Sequence, residues 1–296
     1  MPTRIFPKTL VCAAMLISIA TNLFSAEAGK SSDKESSTPL VLVVMDPLAK
    51  ELSCPCVKGY AQRDYNQLAS LLKTKLGRPV VVEFRESVVE AQRAQPEGLH
   101  IIIGKKSVVE FDAKAQNIKV TPIASLTGKD GVTTQQGLIV VPSKDPAKTV
   151  ADLKDYRIIF GPVECDEKHS APLALLKQNG VSVKLPLETC SACSDGATKI
   201  LELGGDVRAA TVISSYAAPL LEGCGTIQKG DLRVVGKTEP VPFVTAFTTD
   251  KVNDQDRARI QGILTGLAEI PELCLALETQ LGFVELDPSI TTAKKK

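Results

Sequence analysis

Apolar residues recur along this chain in two different periods. Short continuous apolar runs fall at Pro39–Met45, Val80–Phe84, His100–Gly104 and Gly137–Pro142, and each reads as a strand buried on both faces. Between them the spacing lengthens to that of a helix. Tyr65, Leu68, Leu72 and Leu76 form one stripe that Gly77 stops, and Val88–Gln95 follows the same rule. Thr149 opens a short helix, and a second alternation follows: strand 157–160, helix 170–179, strand 181–187, helix 195–203, strand 207–214, helix 215–222 and strand 232–236. Pro240–Phe247 leads back to the first sheet. Asn253 caps a helix striped with Ile260, Ile263, Leu264 and Leu267, and a last helix runs over 271–280. Such alternation predicts an α/β protein of two units, each a mostly parallel sheet flanked by helices, with the chain returning to the first unit at its end.

The ends of the chain break this pattern. Arg4 and Lys8 precede an apolar run from Leu10 to Phe24, which ends in Ala26-Glu27-Ala28. That is the layout of an export signal cleaved near Ala28, which predicts a periplasmic protein; the run is short for a membrane anchor. Residues 29–38 read as a disordered leader and 291–296 as a frayed tail. The expected division is a signal at 1–28, a first lobe of 39–141 plus 241–290, and a second lobe of 142–240. With 296 residues there is room for two such cores. A net charge of +1, well mixed, excludes a nucleic-acid partner, and the absence of Trp speaks against a sugar-stacking platform.

The most informative stretch is 152–180. A strand over Arg157–Phe160 stops at Gly161-Pro162, a polar loop follows, and Ser170 is placed to cap a helix with Pro172 in its first turn. Strand, loop and helix start is how an open α/β sheet offers backbone N–H groups to a ligand. Cys165, Asp166, Glu167, Lys168, His169 and Ser170 are therefore candidate ligand contacts. Ser214 and Ser215 end another strand, Lys105 and Ser107 follow a third, and Tyr60 lies within reach of the same mouth. Gly104-Lys105-Lys106-Ser107 lacks the earlier glycine of a nucleotide-binding loop. No Ser-His-Asp order, H-E-x-x-H or dinucleotide fingerprint is present, so no enzyme is expected.

Four segments resemble the phosphate/phosphite/phosphonate branch of periplasmic solute-binding proteins, the receptors of ABC importers. They are Leu68–Val80, Gly137–Pro146, Asp152–Gly161 with Pro172–Leu176, and Gly205–Ser215. The resemblance implies a two-lobed periplasmic-binding-protein-like fold with ligand in a hinged cleft. The expected protein is a monomer that serves an ABC permease or a membrane sensor, with no certain cofactor beyond a soft metal or metalloid ion. Where the family carries a Ser-Thr-Ser-Gly-like run, this chain has Cys165, Asp166, Glu167 and Lys168. Carboxylates there would repel a phosphonate.

Eight cysteines are present, and Cys12 falls in the export signal. Cys54 and Cys56, Cys165 with His169, and Cys190 with Cys193 all follow strands and are expected on the cleft side. Three readings stay open: structural disulfides, with Cys190 to Cys193 one pair; a site for Cu(I), Zn²⁺ or arsenite built from Cys54, Cys56, Cys165, His169, Cys190 and Cys193; and a dithiol redox function. Cys224 is expected at the far end of its lobe, Cys274 and His100 in packed surroundings.

Overall fold

The computed structural model describes residues 38–53 and 62–288. The export signal, the leader up to residue 37, the tail, and Cys54, Cys56 and Tyr60 lie outside them. In chain order the first elements are β1 (Leu40–Met45), α1 (Tyr65–Leu76), β2 (Val80–Phe84), α2 (Val88–Ala94), β3 (Ile101–Lys105), α3 (Lys106–Ala115) and β4 (Val120–Leu126). After β5 (Thr134–Gln135) come β6 (Gly137–Pro142), β7 (Arg157–Phe160), α4 (Ser170–Gln178), β8 (Glu188–Thr189), α5 (Cys193–Glu202), β9 (Ala209–Ser214), α6 (Ala217–Gly223) and β10 (Leu232–Lys237). The chain then returns through β11 (Val241–Pro242) to β12 (Val244–Thr249), α7 (Asp254–Thr265), α8 (Pro271–Ala276) and β13 (Phe283–Val284).

Two main sheets result. The first has the order β13-β4-β12-β3-β1-β2 and the second β10-β6-β9-β7-β8. Both follow one plan. Three strands run parallel, β2-β1-β3 and β8-β7-β9, and a strand that has crossed from the other sheet runs antiparallel beside them. That strand is β12 in the first sheet and β6 in the second. Placing Gly137–Val141 in the first lobe is thus corrected: β6 pairs with β9 and β10, because the crossing is finished before Gly137.

Continuous apolar strands are what a sheet covered on both faces requires. Leu40, Leu42 and Val44 pack beneath α1 and α7, while Val41, Val43 and Met45 face the other way with Val88, Ala91 and Val109. Burying each such side chain contributes about 1.5–3 kcal/mol. In the second sheet Ile158 and Phe160 join the α4 side, and Ile159 joins α5 and α6.

Two predicted elements differ. Residues 181–187 form no strand; Pro186 has no N–H to give a ladder, Leu185 stands exposed, and pairing with β7 is confined to Glu188 and Thr189. In place of a loop after β3, α3 begins at once, and the Lys106 N–H is taken by the Phe243 carbonyl at 2.8 Å.

Gly137 begins β6 in a place with no room for a side chain. A Cβ there would lie 1.8 Å from the Glu167 carbonyl oxygen, whereas one on Gly262, on the exposed side of α7, would meet nothing within 4 Å. Gly137→Ala should lower the unfolding free energy by about 3 kcal/mol or prevent folding. Gly262→Ala should raise it by about 1 kcal/mol, both read from urea unfolding.

Glu188 holds Arg157 at 2.7 and 2.8 Å and Lys199 at 2.6 Å. The Arg157 hydrogen bonds are the main reason its pKa falls to about 2; burial opposes and Lys199 assists. A depressed carboxylate stabilises the fold above its ordinary value of 4.5 and loses that contribution as pH falls toward about 2. Glu188→Gln should flatten this part of the acid limb in thermal unfolding.

Candidate functional site

The C-terminal ends of β3, β7 and β9 converge, and the loop after β7 fills the space between them. That loop is folded by its own backbone. Gly161 N–H donates to the Lys168 carbonyl at 3.0 Å, Cys165 N–H to Pro162 at 3.0 Å, and His169 N–H to Cys165 at 2.9 Å. Gly161 is needed here, since a Cβ on it would sit 2.5 Å from that of Lys168.

These turns carry Glu167 inward. Its Oε1 accepts from the Lys105 ammonium, with which it forms an ion pair, and from the Ser214 hydroxyl at 2.7 Å. Lys105 ends β3 of the first sheet and Ser214 ends β9 of the second, so the pair joins the two sheets. Lys105 Nζ also lies 3.4 Å from Cys165 Sγ. Glu167 is 0% exposed and Lys105 6%. Burial works against the Lys105 charge, but Tyr216, Glu167 and Cys165 around it raise its pKa well above the ordinary value. Burial pushes the Cys165 thiol up, against the pull of Lys105.

A second tie lies beside the first. Ser107, in the first turn of α3, donates to the Glu164 carbonyl at 2.7 Å and accepts from the Asp166 N–H at 3.3 Å.

Around this junction lie two cavities of about 680 Å³ each, and both touch Tyr216 and Leu220. The first is walled by Met45, Lys105, Cys165, Lys168, Cys193 and one stripe of α6. The second is walled by Arg63, Gln136, Ser215 and Phe243 among others. Tyr216 stacks on Phe243, with centroids 5.1 Å apart and planes 16° apart, and Arg63 covers Phe243 at 5.9 Å. Arg63 is fixed from behind by Asp46 at 2.8 Å, which also accepts from the Tyr65 hydroxyl.

The predicted residues divide accordingly. Lys105, Cys165, Lys168 and Cys193 reach the first cavity and Ser215 the second, with Glu167 and Ser214 directly behind. His169 is turned away: its Nδ1 lies 3.0 Å from the Gly161 carbonyl, and its ring packs on Phe160. Ser170 is not the helix cap. It is the first residue of α4, exposed, and its hydroxyl donates to Asp166 Oδ1 at 3.0 Å.

The cysteines also part company. Cys165, Cys190, Cys193, Cys224 and Cys274 all carry free thiols, so the expected Cys190–Cys193 disulfide is absent. Cys190 donates to the Phe160 and Ala192 carbonyls, and Cys193 Sγ accepts the Ser214 N–H at 3.4 Å. Among the described residues no three His, Cys, Asp or Glu side chains come close enough to hold a metal ion. Of the residues expected to hold a soft ion, Cys54 and Cys56 lie outside the described residues, and Cys190 and His169 are turned to the Phe160 and Gly161 carbonyls. Cys224, expected far away, lines the first cavity: Ala217, Leu220, Leu221 and Cys224 are one helical stripe laid along its wall.

Phe243 and the Arg63–Asp46 pair are not among the residues that the sequence pattern points to. Asp46 directly after the β1 run was the available signal, since a charge at a strand's C-terminal end faces the ligand side of such a sheet.

Lys105→Met would leave the Glu167 carboxylate buried without its counter-charge. A loss of about 3–5 kcal/mol is expected in chemical denaturation, most of it recovered by Lys105→Met with Glu167→Leu.

Comparison with known proteins places this geometry. The family model described as ABC transporter, phosphonate, periplasmic substrate-binding protein matches residues 59–289. No curated protein matches the sequence. Among solved structures, XAC2383 from Xanthomonas citri bound to ATP superposes with a TM-score of 0.63 at 15% identity, covering 86% of this chain and 94% of that one. PhnD1 from Prochlorococcus marinus in complex with methylphosphonate gives 0.60 at 13% identity, over 86% and 94%. The aliphatic sulphonate binding protein SsuA from Escherichia coli gives 0.56 at 15%, over 85% and 82%. At these identities the likeness is one of fold, two lobes of sheet and helix around a cleft.

Proposed function

The chain belongs to the periplasmic substrate-binding proteins of phosphonate ABC transporters, and from that membership we propose that it is an exported receptor holding a small solute where the ends of β3, β7 and β9 meet. The family consists of binding proteins, not enzymes. In this reading the lobes are residues 39–136 with 241–288, and residues 137–240. The solute lies against Tyr216 and Lys168, and an ABC permease receives it.

The observation that carries the reading is the walling of two 680 Å³ cavities by residues of both sheets around the Tyr216–Phe243 stack. Cavities of this size, mostly apolar with a few fixed polar groups, are the usual form of a small-molecule site. A thiol–metal reading receives no comparable support: among the described residues no three His, Cys, Asp or Glu side chains come close enough to hold an ion.

The test is thermal unfolding against a panel of anionic, zwitterionic and neutral solutes. A ligand at about 100 times its Kd should add about 2.7 kcal/mol of stability, and Tyr216→Ala should abolish most of that gain. If no solute on the panel stabilises the protein, the receptor reading is wrong.

A further inference from the structure

The loop after β7 buries a carboxylate where the ends of the two sheets meet. Glu167 is wholly buried, and its Oε1 takes both the Lys105 ammonium from one sheet and the Ser214 hydroxyl from the other. Its Oε2 is buried with no hydrogen-bond partner. A buried carboxylate with one oxygen unused has not been placed there for stability alone, because burying a charge is costly and an apolar pair would do as well. The placement is nonetheless enforced. Gly137 clears the backbone contact that seats the Glu167 carbonyl, and Ser107 pins the neighbouring Asp166 N–H.

The rest of the cavity wall agrees in charge. Its Lys, Arg, Asp and Glu residues are Lys105, Lys168, Glu86 and Glu164, with Glu167 immediately behind, and Glu167 cancels Lys105. Lys168 is 6% exposed and forms no ion pair among the described residues, so it is the cation left to meet a solute. One free ammonium amid carboxylates suits a single negative charge. A dianion would meet more repulsion than attraction.

We propose that Glu167 is the specificity-determining residue of this receptor: its carboxylate occupies the seat between Lys105 and Ser214 that an oxyanion would take. The native cleft therefore rejects small dianions such as methylphosphonate and accepts a solute bearing at most one negative charge, met by Lys168. This rests on the receptor reading above and adds the ligand's charge class to it.

The experiment compares wild type, Glu167→Ala, Glu167→Ser and Glu167→Ala with Lys105→Met. Each is titrated with methylphosphonate by calorimetry, and wild type also with hexanoate, hexanesulfonate and an uncharged hexyl alcohol. Emptying the seat should tighten methylphosphonate binding at least about tenfold over wild type, and the Lys105→Met double variant should lose that gain. Glu167→Ser, which keeps a hydroxyl beside Ser214, serves where the alanine variant is poorly folded, and refolding of either variant on adding methylphosphonate counts as the same gain.

Wild type that binds methylphosphonate as tightly as the folded variants would overturn the proposal while leaving the receptor reading intact. So would variants that gain nothing, or a gain that persists without Lys105. Wild type that takes a monoanion or the alcohol, but not methylphosphonate, supports it. Wild type that binds no panel solute defeats the receptor reading, while the gain in the variants still reports on the seat.

Discussion

The junction of the two sheets is centred on one ion pair. Lys105 and Glu167 approach from opposite sides of the cleft, and neither would tolerate burial without the other. Around that pair the local structure is arranged to leave no freedom. α3 starts directly after Lys105, so the ammonium is launched from the rigid end of a strand. The loop bearing Glu167 is closed on itself by consecutive turns and fastened to Ser107. Tyr216 adds its ring to the same junction and, through its stack on Phe243, ties it to the strand that returns to the first sheet.

The burial pattern explains why such a junction forms at this end of the molecule. In each sheet the parallel strands are covered by helices on both faces, so only the strand ends remain for polar chemistry. Asp46, Lys105 and Ser214 all lie at C-terminal strand ends. Each found a partner from an adjoining loop or the opposite lobe.

Much of this was legible in the sequence because apolar runs of strand length are unambiguous when both faces are buried. β1, β2, β3, β6, β7 and β9, and the helices starting at Tyr65, Val88, Ser170 and Asp254, lie within a residue or two of where hydrophobic spacing puts them. Strand 181–187 was misread because Val181 and Val183 have the right alternation, yet they pack beside α4 as irregular chain. The loop at 165–170 was legible as a place but not as a set of directions. Nothing in Glu167-Lys168-His169 tells which side chain turns inward. That was decided by Gly137, thirty residues away, and by the Gly161–Lys168 hydrogen bond. Cys224 was misplaced because α6 lies along the cavity and not away from it.

The two crossings between the sheets are not independent threads. β5 pairs with β11, Phe243 N–H donates to Thr133, Thr238 N–H to Gly137, and the Gln136 amide to the Thr238 carbonyl. A double strand zipped in this way resists shear in its own plane and yields to bending across its flat face. The connection is therefore a leaf spring with one compliant direction, and any rocking of one half against the other is channelled about a single axis.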